Sequence, residues 1–206
     1  AKVPGPGLAG FILQFANLTH IINYGHLIKD REFDAMAIYE HSIESIMHNQ
    51  ARSVLGNNHR IDLSTLDEEK AANVGGTGWI NKGNKNIITP KAKHPELMKL
   101  IEEGRVGLYA CEPIKNVIVL VYVLYCWTTG ETSNEAAGMS NELISLVMQD
   151  TLMQNEGPML ITTDLNCNPN RLPALQYAIE HEGWMDIGAN ASLFEGTDNQ
   201  NTCKAT

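Results

Sequence analysis

Short apolar runs along the chain alternate with polar stretches. Their period switches between two, the repeat of a strand, and about 3.6, the repeat of a helix. Residues 11–18 (FILQFANL) and 34–39 (DAMAIY) read as strands. Between them, residues 20–31 place Ile21, Tyr24, Leu27 and Ile28 at helical spacing, and residues 43–55 repeat that pattern. Residues 63–70 are charged and predict a surface loop or a short helix. Residues 74–81 (VGGTGWIN) predict a glycine-rich turn entering a strand; no GKS or GKT follows, so the glycines do not spell a phosphate loop. Residues 95–103 suit a helix with proline in its first turn. Residues 106–111 and 117–125 suit two successive strands, and 135–152 the longest helix, with Leu143, Ile144, Val147, Met148 and Leu152 on one face. Residues 159–163 then predict a strand, 172–182 a helix and 184–187 a short strand. This order of elements predicts one domain of layered α/β or α+β structure.

With 206 residues and 43% hydrophobic composition, the chain can bury one sizeable core. The longest apolar run, residues 117–127, is too short to cross a bilayer, which takes about 20 residues, and its β-branched and aromatic content predicts a buried strand. No membrane association is expected. The first ten residues lack a secretory pattern, and Ala1 in place of an initiator Met is read as a cut from something longer. Cys111, Cys126, Cys167 and Cys203 form no CxxC pair and are expected to be free thiols, which points to an intracellular setting, nuclear or cytoplasmic.

The net charge of −9 argues against a general nucleic-acid binder, because such affinity comes mostly from phosphate neutralisation. The charge is uneven, however. Lys82, Lys85, Lys91, Lys93, Lys99 and Arg105 cluster in one stretch, whereas residues 116–170 contain no Lys or Arg. An acidic zone can hold a divalent cation, which in turn attracts phosphate; the alternative is a solvated acidic face.

Three apolar strands end in polar clusters: Asn17 after the first, Glu40 and His41 after the second, Asp164 and Asn166 after the third. Ligands of α/β sheets gather at such carboxyl ends, so adjacent strands would bring these side chains together. Carboxylate and amide oxygens are hard ligands suited to Mg²⁺, a second carboxylate can orient or deprotonate water, and an amide can donate to a phosphate oxygen. His41 is expected at the surface or behind the ligands, and His181 on a helix surface.

The segments FANLTH, DAMAIYEHS, VYVLYCWTTG and GPMLITTDLNCNPNRLPAL resemble successive motifs of the endonuclease/exonuclease/phosphatase superfamily, closest to its retroelement-type endonuclease domains. The resemblance implies a two-sheet β-sandwich flanked by helices and a Mg²⁺- or Mn²⁺-dependent phosphodiester hydrolase acting on nucleic acid, DNA before RNA. It implies that Glu40 binds the metal with support from Asn17, that Asp164 aligns the attacking water, and that Asn166 helps orient that group and the phosphate. Tyr125 falls where the family has a phosphate-contacting Tyr; its residue pattern fits a core aromatic equally well. Thr163 replaces the usual Gly of the family's GDLN motif. The family continues into an Arg–Asp strand and a late Asp–His pair that find no match before Thr206, so the resemblance implies a domain truncated at its C-terminus with little activity of its own. Two other readings stand beside it: a non-catalytic module of the same fold, and a phosphatase of phosphoinositides or other small phosphate esters.

Overall fold

A computed structural model describes residues 10–66, 75–83, 85–154 and 157–190. Strands β1 (Leu13–Asn17), β2 (Ala35–Tyr39), β3 (His59–Leu63) and β4 (Thr77–Lys82) form one sheet in the order β1-β2-β4-β3. Strands β5 (Val106–Ile114), β6 (Val117–Tyr125) and β7 (Met159–Asp164) form a second in the order β5-β6-β7. Both sheets are mixed: β1 runs parallel to β2 and β6 parallel to β7, while the other pairings are antiparallel.

Side-chain alternation builds four layers from these sheets. Ala35, Ala37, Tyr39 and Trp79 of the first sheet meet Tyr109, Val121, Val123 and Tyr125 of the second across the middle of the sandwich. The intervening residues Met36, Ile38 and Ile80 face outward onto the short helices α1 (Ile21–Tyr24) and α2 (His26–Lys29) and onto α3 (His48–Leu55). On the other side, Val106, Leu108, Tyr122 and Leu124 pack on α4 (Pro95–Glu102), α5 (Asn134–Met153) and α6 (Pro173–His181). Strand β2 is therefore buried on both faces, as is the second half of β6, which is why both read as continuous apolar runs rather than alternating ones. The two-sheet sandwich flanked by helices agrees with the expected fold.

Several local expectations change. The helix predicted over 20–31 is two single turns that meet at Gly25. A Cβ there would lie 2.7 Å from the Ile21 carbonyl and 3.0 Å from Val54, so α3 packs directly on the break. Ile21 and Ile28 face the core, but Tyr24 and Leu27 are exposed. Leu152, expected on the buried face of the longest helix, is also exposed, because it lies in the last turn, next to the helix end at Met153. The second helical pattern opens as a 3-10 turn, Ser45–Met47, before α3. Strand β3 was not expected: its sequence, HRIDL, is polar because it lies at a sheet edge. The predicted loop or helix over 63–70 lies in part outside the described residues. Strand β5 continues past Cys111 through an irregularity to Ile114, and as an edge strand it tolerates Pro113. Residues 184–187 form no strand. Gly183 takes φ +76°, the Trp184 amide turns back to the Ala178 carbonyl at 3.2 Å, and Asp186 Oδ1 accepts from the Ala189 amide at 3.0 Å.

Candidate functional site

The parallel pairs β1–β2 and β6–β7 end at the same side of the sandwich. Register sets Asn17 beside Tyr39, immediately before Glu40, and Tyr125 beside Asp164. At this end one side chain bridges the two sheets. Asn17 Nδ2 donates to Glu40 Oε2 and to Asp164 Oδ2, each at 2.8 Å. The amide is oriented from behind, since its Oδ1 accepts from the Thr19 backbone amide at 3.0 Å. Hence the nitrogen, and not the oxygen, faces the two carboxylates. Three of the predicted site residues, from segments as far as 147 positions apart, thus form one contiguous group.

Backbone geometry around the group is unusual. Thr19, Glu40, Ser42 and Asn166 all have positive φ, between 50° and 56°, just beyond the ends of β1, β2 and β7. Non-glycine residues seldom take this conformation, and where they do the surrounding structure must hold them there. For Glu40 that hold is visible: its amide donates to the Gly76 carbonyl at 2.8 Å, and the Ser42 amide donates to Gly75 at 3.0 Å. Gly75 and Gly76 have φ +119° and +88°, which suits glycine alone. A Cβ on Gly75 would lie 3.1 Å from the Tyr125 ring, and one on Gly76 only 2.2 Å from His41 Nε2. The sequence-predicted glycine turn is thus the floor beneath Glu40.

Tyr125 is the core aromatic that its residue pattern allowed. Its ring is 1% exposed within the middle layer, while its hydroxyl is buried with no hydrogen-bond partner among the described residues. Burial raises its pKa above the ordinary phenol value, and the charges of Glu40 and Asp164 raise it further, so the group keeps its proton. Tyr39, unnoticed in the sequence, spans the sheets through a hydroxyl contact with Thr162. Asn166 Nδ2 donates to the carbonyls of Cys126 at 3.2 Å and Asp164 at 3.4 Å, so this amide braces the ends of β6 and β7. Thr163 sends its Oγ1 toward Cys126 Sγ at 3.6 Å, leaving β7 in register up to Asp164.

His41 is not at the surface. It is fully buried behind Glu40, where Nδ1 accepts from the Ile43 amide at 3.4 Å and Nε2 lies 3.2 Å from Ser64 Oγ. Burial, with His48 nearby, pushes its pKa down to about 4, so the ring is neutral near pH 7. His181 is an exposed residue at the end of α6, as expected. Among the described residues no group of three His, Cys, Asp or Glu side chains converges on a metal-sized space. What converges is two carboxylates and one amide.

Sequence reasoning also missed Arg105, whose guanidinium carbon lies 5.3 Å from the Tyr125 ring centroid and 4.7 Å from that of Trp127. Its membership of the basic stretch 82–105 was the available signal.

No protein-family model matches the sequence, and no curated protein is significantly similar to it. Solved structures with this arrangement of elements do exist. The catalytic domain of Xenopus laevis APE2 superposes with a TM-score of 0.65 at 15% identity, over 94% of this chain and 76% of that one. An AP endonuclease from Archaeoglobus fulgidus superposes with a TM-score of 0.59 at 10% identity, over 87% and 74%. At such identities the likeness is one of fold, and it agrees with the motif resemblance: the chain has the two-sheet α/β sandwich fold of the endonuclease/exonuclease/phosphatase superfamily.

Proposed function

We propose that this site binds a divalent cation, Mg²⁺ or Mn²⁺, and hydrolyses a phosphodiester of nucleic acid, DNA before RNA. The observation that carries the reading is the single amide nitrogen of Asn17 hydrogen-bonded to Glu40 and Asp164 at once. It keeps two negative charges from two different sheets side by side. Such a pair repels itself, and a cation bound beside it would offset that repulsion. The donor set also suits the ion, since Mg²⁺ is commonly held by one or two carboxylates while keeping waters and taking substrate phosphate oxygens as further ligands.

Glu40, half-buried and locked at its backbone, would hold the ion. When bound, the ion would act as a Lewis acid on a phosphate oxygen. Asp164 would accept a proton from the attacking water, and Asn17 would keep its carboxylate oriented for that task. The Tyr125 hydroxyl, a donor without a partner among the described residues, would donate to a non-bridging phosphate oxygen as negative charge builds there. Asn166 acts one step back by fixing the strand ends. The nucleic-acid assignment draws support from the APE2 and AP endonuclease folds and from the basic stretch that ends at Arg105.

Two measurements test this reading. In titration calorimetry the wild-type chain should bind Mg²⁺ or Mn²⁺ saturably, and Glu40→Gln should abolish the signal; equal weak heats from both proteins would remove the metal site. In a plasmid-nicking assay cleavage should require the divalent ion, and Asp164→Asn should slow it by about 10²–10³-fold while leaving metal binding in place. Saturable metal binding without nicking would favour a non-catalytic module of the same fold.

A further inference from the structure

Arg105 stands out among the cations of the described residues because it is built into the wall of the site, beside Tyr125. Its backbone is fixed on both sides: the Arg105 amide donates to the Leu100 carbonyl at 2.9 Å, and its carbonyl accepts from the Tyr125 amide at 3.0 Å. The preceding Gly104, at φ +73°, lies so close to the loop after β3 that a Cβ would come within 2.6 Å of the Thr65 carbonyl. The side chain is half-buried, and its guanidinium lies over the rings of Tyr125 and Trp127. Stacking of this kind orders a side chain that otherwise loses much rotamer freedom on binding.

The hydrogen-bonding capacity of the group is almost unused. A guanidinium has five N–H donors in a planar fork, and the one hydrogen bond that of Arg105 makes to the described residues is a long one, Nη1 to the Tyr125 carbonyl at 3.5 Å. Burial lowers its pKa from the ordinary guanidinium value, against the opposing effects of Tyr125, Cys126 and Glu103. A charge partly withdrawn from water, ordered by aromatic rings and left with free donors is suited to an incoming anion. Tyr125 feels Glu40 and Asp164 as well as Arg105, so the cation and the carboxylate pair act on the same phenol.

We propose that Arg105 is a substrate-binding residue, whose guanidinium grips a backbone phosphate of nucleic acid next to the phosphodiester held between Glu40 and Asp164. The proposal rests on the nucleic-acid reading of the site. It gives the acidic chain a fixed point of phosphate contact, without which its net charge of −9 would repel the polyanion.

The test is equilibrium binding of a short labelled DNA duplex in EDTA, followed by fluorescence anisotropy across a KCl series. Without divalent ions the measurement is independent of metal binding and of cleavage, so it can succeed where those tests fail, and the reverse. Wild type should bind at low salt with a slope of log K against log[KCl] that becomes shallower by about 0.9 in Arg105→Gln, the share of one phosphate. Affinity at low salt should fall roughly tenfold or more. Arg105→Lys should keep most of the slope, since it keeps the charge. Lys115→Gln, at the exposed turn of the β5–β6 hairpin away from the strand ends, should leave slope and affinity as in wild type. An Arg105→Gln protein with wild-type slope and affinity would overturn the proposal, as would absence of duplex binding by the wild-type chain. A second measurement needs no variant: an arginine-specific dicarbonyl should modify Arg105 in the free protein, and the duplex should protect it, as read by peptide mass. Equal modification with and without duplex would also overturn the proposal.

Discussion

A charge taken out of water must be compensated atom by atom, and Asp150 on α5 is the fullest case here. It is 0% exposed, yet its Oδ1 accepts from the Lys93 and His94 amides at 2.5 and 2.6 Å, and its Oδ2 accepts from Tyr122 Oη and Gln154 Nε2 at 2.7 and 2.9 Å. Burial alone would raise its pKa, but these four donors outweigh it and the pKa is lowered. The carboxylate thereby fixes the chain just before α4, the helix that leads to Arg105. Asp150→Asn turns one acceptor into a donor that faces other donors, and it should cost roughly 3 kcal/mol at neutral pH. The sign of the pH dependence follows from the lowered pKa. The stabilisation is present above the unfolded-state value, near 3.9, and is lost as pH falls through the lower folded-state value. Thermal melts of both proteins should therefore differ by a constant amount from pH 7 to about 5 and converge below about 4. A gap that persists unchanged into strong acid would show that the ionised carboxylate is not what matters. His41 meets burial in the opposite way, by staying neutral, and so supports Glu40 without adding a charge beside the carboxylate pair.

Elements differ in how openly their sequence declares them. Strand β2 and the second half of β6 are buried on both faces, so their apolar runs announced them, and Glu40 and Tyr125 could be placed at their ends from residue order alone. Strand β3 was hidden because an edge strand satisfies itself with polar side chains. The α1–α2 segment was misjudged because the break at Gly25 depends on the approach of Val54, a contact 29 positions away. Nor could periodicity reveal that Asn17 turns its nitrogen toward two carboxylates, because that orientation is set by the Thr19 amide after the strand has ended. The glycine pair before β4 lies between these extremes: the turn was legible, its role under Glu40 was not. Gly76→Ala places a methyl 2.2 Å from a buried His41 ring at a φ that disfavours side chains. The substitution should cost about 2–4 kcal/mol and, by shifting the Gly76 carbonyl that holds the Glu40 amide, weaken Mg²⁺ binding even in the folded fraction. Gly83→Ala, with a similar φ of +80° but open space around it, should show the smaller backbone penalty and wild-type metal binding. Equal metal affinity in Gly76→Ala and wild type would separate the turn from the site.

At the scale of the whole molecule, the carboxylate pair straddles two sheets: Asn17 and Glu40 hang from one and Asp164 and Tyr125 from the other. Their spacing is therefore set by how the sheets pack, through the middle layer where Trp79 stacks on Tyr109 at 5.1 Å between centroids. The outer layers stabilise the fold without setting that spacing. The same substitution made in the two places separates stability from alignment. Val123 and Val147 are both 0% exposed, the first between the sheets and the second on α5 against the outer face of the second sheet. Replacing either with Ala removes the same two methyl groups and should cost about 2–3 kcal/mol, from lost transfer free energy and the cavity left behind. Both proteins should melt earlier by comparable amounts. Interiors are close-packed, so relaxation around the Val123 cavity shifts one sheet against the other, and β6 ends at the site only two residues later. Assayed well below either melting midpoint, Val123→Ala should bind Mg²⁺ more weakly and nick plasmid more slowly, because productive geometry tolerates only about half an ångström of drift. Val147→Ala should match wild type in both. If the two variants lose function in proportion to stability alone, then the spacing of Glu40 and Asp164 is set locally by the Asn17 bridge and the packing of the sheets does not govern it.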